Sequence, residues 1–230
     1  MTVLHLAEEG EAADLAAFLA RLLHYDRGAA VRLQAAGTAL AVFGRPPSFE
    51  VLAIRAARLA KPYENGLDVA LDATVSAGEL LETVDESAAT LTVPGAVTGP
   101  PWAGVLPPRG GWRPEAGLPA PDALRAMVAA AVAEFRSRTQ ELTPELRTRA
   151  ELDRIGREIW SRTVGDTHLP VRAVHAAQSL GFLRPAQGPG ASGEAPLALV
   201  SSGPWLRLRT EFGSIAVRRT GLGALDVSVR

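Results

Sequence analysis

The chain has no cysteine among its 230 residues. That excludes disulfides, zinc–thiolate sites, iron–sulfur clusters and a cysteine nucleophile. Lysine is nearly absent too: Lys61 stands alone against 23 arginines. A Schiff-base mechanism therefore has one candidate, and Pro62 directly after it marks a strand exit, so Lys61 reads as a surface residue. No uninterrupted apolar run approaches the roughly 18 residues of a membrane span. The phosphate-cradling GxxxxGK[ST] and GxGxxG patterns, the HExxH zinc motif and the GxSxG nucleophile elbow are all missing. The Gly-Leu-Gly at 221–223 leads into a strand pattern and reads as a turn. Neither a cofactor nor a metal is expected.

Net charge is also small, −1 at neutral pH. It is unevenly placed: residues 1–119 carry 9 basic and 14 acidic residues (−5), and residues 120–230 carry 15 and 11 (+4), which sum to the −1 of the whole. The second half is only mildly basic, short of a dedicated nucleic-acid binder. The start, "MTVLHLAEEGEAADL", is acidic where a secretory signal needs a basic region, so a cytoplasmic protein without membrane attachment is expected.

What the chain does contain is period. Leu15, Phe18, Leu19, Leu22 and Leu23 form one helical stripe over 8–25, with acids at its start, Arg21, His24 and Arg27 at its end, and Gly28 as its stop. The period then changes to two. "AAVRLQAAGTALAVFG" predicts two strands around Gly37, "SFEVLAIRAARLA" a third, "GLDVALDAT" a fourth and "ATLTVP" a fifth. Between the last two, Ser76 and Glu79 form a capping box before a helix over 77–86.

Residues 94–121 are rich in proline and glycine and predict no regular structure. Helices follow over 121–138, over 144–162 with Thr143 as N-cap, and over 170–180, ending at Gly181. Glu145–Arg149, Asp153–Arg157 and Glu158–Arg162 are spaced as i,i+4 ion pairs. After a Gly/Pro/Ser loop over 184–196, "PLALVSS", "WLRLRT", "SIAVRR" and "ALDVSVR" predict short antiparallel strands. The expected fold is α+β: a helix with an antiparallel meander over 1–93, a connecting strap over 94–121, and three helices followed by a small antiparallel sheet over 122–230. Val31, Leu33, Val51, Leu52, Met127, Phe135 and Ile155 are expected in the core.

Set in this alanine- and arginine-rich chain, "LPVRAVHAAQSLGFL" and "GPPWAGVLPPRGGW" resemble segments of uncharacterised conserved proteins of high-GC actinobacteria. That resemblance implies no activity and no catalytic residue.

The densest feature is "GPPWAGVLPPRGGW" (99–112), which holds two of the four tryptophans, four prolines and four glycines. One reading makes it an anchored strap, with Trp102 and Trp112 pressed onto the fold and Arg109 in solvent. The other makes Trp102, Arg109 and Trp112 a partner-binding surface. Asp166, His168 and His175 lie close in sequence, but their spacing gives no reason for them to converge on a metal. In "WLRLRTEFGSIAVRR", Arg207 and Arg209 share a strand face, and Arg218 and Arg219 follow in the next strand. Three helices and then a hairpin is also the order of a winged-helix module, with 170–180 as recognition helix offering Arg172, His175 and Gln178. The preferred expectation is a non-enzymatic interaction or regulatory protein, its partner a protein yet to be named or a second copy of the chain. The alternatives are a DNA-binding regulator using Arg172, Arg207, Arg209, Arg218 and Arg219, and an enzyme working through carboxylates.

Overall fold

A computed structural model of the chain describes residues 2–60, 71–184 and 197–219. Lys61, the first residues of the expected fourth strand, the 184–196 loop beyond its first residue and the final "ALDVSVR" lie outside the described residues. The apolar stripe read at the start becomes α1 (Glu9–Tyr25), with Leu15, Phe18, Leu19 and Leu22 all buried. It ends before the expected glycine, because the Asp26 carboxylate accepts the Gly28 N–H at 2.9 Å and turns the chain first.

Two strands, β2 (Ala30–Ala36) and β3 (Ala39–Gly44), then form a hairpin whose turn uses the positive φ of Gly37 (57°). β4 (Leu52–Arg58) and β5 (Leu71–Ser76) follow. At Ser76 the N-cap half of the expected capping box forms, the Ser76 hydroxyl accepting the Glu79 N–H at 3.3 Å. The resulting α2 (Ala77–Glu82) is shorter than the spacing predicts. Thr83 donates its hydroxyl to Leu80 and Thr92 carbonyls, which pulls the chain into β6 (Val84–Asp85). With β1 (Val3–His5) and β7 (Thr90–Thr92), β6 makes a small antiparallel sheet in the order β1-β7-β6.

The segment expected to be irregular is not wholly so. It contains a 3₁₀ turn (Pro101–Gly104) and β8 (Arg113–Glu115). The second half continues with α3 (Pro121–Gln140), α4 (Arg149–Trp160), α5 (Val171–Ser179), β9 (Ala198–Ser202), β10 (Trp205–Thr210) and β11 (Gly213–Arg218). α4 starts five residues later than Thr143-Pro144 suggested. Residues 144–146 form a separate turn, and Thr148 is the true cap, accepting the Glu151 N–H at 3.3 Å. Of the three expected intrahelical ion pairs, Glu158–Arg162 forms, at 3.5 Å. Among the described residues the other two do not; Arg149 lies 3.8 Å from Asp153 instead, and Glu158 and Arg162 also serve the α3–α4 contact. There Arg138 grips Glu158 through two bonds (2.7 and 2.8 Å), and Arg162 grips Glu134 (2.5 and 2.8 Å).

The fold is α+β, as expected. The strands of both halves join one eight-stranded antiparallel sheet in the order β5-β2-β3-β4-β11-β10-β9-β8. Its seam is the β4–β11 ladder, where Leu52, Ala53 and Ile54 face Ala216, Ile215 and Ser214. Alternation along the strands gives the sheet two apolar faces. Val31, Leu33, Val42, Ala53, Leu208 and Ile215 pack into the main core with α1 and α5. Phe43, Leu52, Ile54 and Ala216 form a second cluster on the opposite face. Val31, Leu33, Val51, Leu52 and Ile155 are buried as expected; Met127 and Phe135 are only half-buried, because α3 lies outside the first helical layer and packs mainly on α4 and α5. No helix among the described residues is long and apolar enough to cross a membrane.

Candidate functional site

The connecting segment crosses the sheet face that the helices leave open. At one edge, the Val97 N–H donates to the Thr74 carbonyl of β5 at 2.8 Å, and Ala96 bridges Val75. At the other edge the segment becomes β8, and the Ser202 hydroxyl donates to the Gly110 carbonyl at 3.2 Å. Seven strand steps of about 4.8 Å put these edges roughly 34 Å apart. In between, the 3₁₀ turn sets half-buried Trp102, with Leu106, onto Phe43, Leu52, Ile54 and Ala216. Trp112, also half-buried, donates its indole N–H to the Pro108 carbonyl at 3.0 Å. The Arg207 guanidinium lies 5.7 Å from the Trp112 ring centre.

Beside this strap runs a groove of about 500 Å³. Its floor is Leu52 and Ala216, and its walls include Trp102, Val105 and Trp205. Three arginines enter it from separate elements: Arg45 just past β3, Arg172 in the first turn of α5, and Arg218 at the end of β11. The Arg218 guanidinium sits 5.8 Å from the Trp205 ring centre. One acid, Glu50, shares the groove; its backbone is in the left-handed region (φ 52°), and its carboxylate lies 3.9 Å from Arg172 Nε. That Nε is buried without a hydrogen-bond partner. On the far side of Trp102 and Arg45 a second groove of about 480 Å³ reaches Gly28, Ser76 and Thr98.

The structure divides the residues singled out in the sequence. Trp102 lines the groove, Trp112 lies over Arg207, and Arg109 is exposed. The five arginines of the DNA reading do not form one surface. Arg172 and Arg218 meet at the groove. Arg207 is covered by the strap, donates from Nε to the Ser214 hydroxyl at 2.8 Å, and has its pKa pushed down to about 10, chiefly by burial and then by Arg209. Arg209 is exposed, and Arg219 is paired with Glu115 at 2.6 Å.

The winged-helix arrangement is corrected on two counts. The β10–β11 hairpin is flanked by β9 and β4 and is no free wing. The expected recognition helix, α5, buries Val171, Ala173, Val174, Ala176 and Ala177 in the core. Arg45, Glu50 and Trp205 escaped the sequence reading. The one available signal was that Trp205 alternates with Arg207 and Arg209, which places it on their face of β10.

The three residues weighed as metal ligands are also separated in role. Asp166 and His168 are exposed. His175 stacks on Trp160 (centroids 4.6 Å, 21°) and meets Phe49 edge-on at 5.1 Å. Among the described residues, no group of three or more His, Asp or Glu is placed to hold a metal ion. Burial holds the His175 pKa below the ordinary 6.5. A base with a depressed folded-state pKa contributes stability above its unfolded value, and that contribution is lost as pH falls through the folded value. Urea unfolding should therefore show stability declining as pH drops below 6.5. His175→Phe should flatten that decline. Below 4.5 a separate acid loss sets in, because the Arg138 hydrogen bonds hold Glu158 down at about 2. A parent and a His175→Phe variant with parallel profiles between these limits would contradict the assignment.

Two family models together cover most of the chain. Residues 1–104 match one described as Domain of unknown function (DUF8010), and residues 107–222 match one described as Domain of unknown function (DUF8185). No curated protein matches the chain. The boundary between the two matches falls inside the strap, next to the groove, while the sheet runs through both parts.

Proposed function

We propose that this chain, which belongs to the DUF8185 family over residues 107–222, is a non-enzymatic cytoplasmic interaction protein that receives a partner protein in the groove beside its strap. One observation carries the reading. Two half-buried indoles from distant segments, Trp102 and Trp205, line the same open groove, together with Val105, which is 51% exposed. Large, rigid aromatic side chains with one wet edge are the groups that carry most binding energy at protein interfaces.

The groove is tested by affinity capture from the native cell with three baits: the parent, Trp205→Ala and Arg109→Ala. Parent and Arg109→Ala should recover the same protein, and a folded Trp205→Ala should not. Recovery unchanged by Trp205→Ala would overturn the reading. DNA binding is the competing function, and scattered arginines with a hairpin closed on both sides argue against it. A labelled duplex titrated at physiological salt should show no sub-micromolar affinity; tight binding that weakens steeply with added salt would favour DNA instead.

A further inference from the structure

We infer that the groove selects an acidic segment of its partner, an extended stretch in which a glutamate or aspartate stands beside a large apolar side chain. This rests on the reading of the groove as a partner site. The first argument is charge. Arg45, Arg172 and Arg218 face a single acid, Glu50, so the groove carries a surplus of two positive charges. The neighbouring Arg32, Arg207 and Arg219 are already engaged by Asp72, Ser214 and Glu115. Among the described residues, Arg45 and Arg218 have no ion pair, and Arg172 has only the 3.9 Å contact with Glu50.

A second argument is the bonding left undone. Arg172 Nε is buried and makes no hydrogen bond. A buried donor without a partner is costly, and a carboxylate matches the guanidinium fork. Glu50 does not supply that match, although its backbone takes the left-handed conformation (φ 52°) that non-glycine residues seldom adopt. Local strain of this kind is concentrated at functional sites. An incoming carboxylate would take Arg172 from Glu50, which makes Glu50 the competitor of the ligand.

Shape and lining decide what kind of acid fits. Leu52, Ala216 and the two indoles offer apolar contact that a bare anion does not use. A second groove adjoins this one across Trp102 and Arg45, so a partner longer than one side chain has surface to follow. Three arginines gathered at one point do not make the cationic track that a nucleic-acid backbone follows.

The test is fluorescence anisotropy on the full chain. The probe is a labelled peptide alternating glutamate with leucine, and the control has glutamine in place of glutamate. The glutamate peptide should bind, and added salt should weaken it. Arg172→Gln and Arg218→Gln should each weaken it about ten-fold, as loss of a charge-assisted bond does. Glu50→Gln should tighten it several-fold, a gain that damage to the fold would not produce. If the glutamine peptide binds equally well and Trp205→Ala abolishes both, the partner site stands and its selection for acid falls. If neither peptide binds and capture is indifferent to Trp205, the partner site itself falls. Displacement of the peptide by short duplex DNA more readily than by unlabelled peptide would also overturn the inference.

Discussion

Arg55→Ala is expected to lower the unfolding free energy by about 3 kcal/mol, the low end of what breaking a buried ion pair costs. Arg55 is 5% exposed, on the helix-covered face of β4. Its Nη2 pairs with Glu11 (3.0 Å) and Asp14 (3.2 Å) of α1, and its Nη1 donates to the Phe212 carbonyl at 2.8 Å. Removing it leaves two carboxylates facing each other and a carbonyl without its donor. The loss stays near the low end because Arg58 still reaches Glu11 and Arg184 still reaches Asp14. Arg58 makes a matched control: it binds the same Glu11 carboxylate at 3.0 Å, but its side chain is 68% exposed. Arg58→Ala should cost far less than Arg55→Ala, as exposed pairs do. Urea unfolding of both variants at neutral pH decides it, and equal losses would show that burial does not set the worth of this network.

The same residue shows where the sequence stopped being readable. Period and caps marked α1, β2 to β4, α3 and α5 well, since each is long enough for a pattern to repeat. β1, β6 and β8 have two or three residues each, too few for any period. At α4 two starts were available with the same grammar. Thr143-Pro144 is an N-cap followed by a proline, and Thr148 with Glu151 is a capping box; only packing against α3 and α5 selects between them.

Nothing local announces that β4 pairs with β11, or that Arg55 will meet a carbonyl 157 positions away. The groove depends on those long-range pairings. Residues 45, 50, 102, 172, 205 and 218 have no common spacing, and they converge because the seam of the sheet brings them together. Of these, Trp102 was legible as a loop aromatic, whereas Arg172 and Arg218 were noticed for a different reason. The alternating Trp205, Arg207 and Arg209 placed three side chains on one face, but could not say that the strap would cover the second and leave the first beside a groove.

Trp102→Ala is expected to lower the melting temperature by about 5–10 °C, which corresponds to roughly 2–3 kcal/mol for a chain of this size. The figure lies below the roughly 3–5 kcal/mol of a fully buried tryptophan, because Trp102 is only half-buried. What the indole holds is the middle of the strap, through Phe43, Leu52, Ile54 and Ala216. Trp112→Ala should cost less, about 1–2 kcal/mol, since it loses one indole hydrogen bond and the partial cover over Arg207. Arg109→Ala should change stability by no more than about 0.5 kcal/mol, because the side chain stands in solvent. The proline-rich backbone between the tryptophans reduces the entropy lost when the strap is fixed, so each indole can hold several residues in place. Melting curves of the three variants, read beside the capture experiment, separate anchoring from recognition. The expected pattern is a graded loss of stability, with partner recovery retained by Trp112→Ala at temperatures where it is folded. If both tryptophan variants melt like the parent and both lose the partner, the strap is no anchor, and the whole of 99–112 is the binding surface.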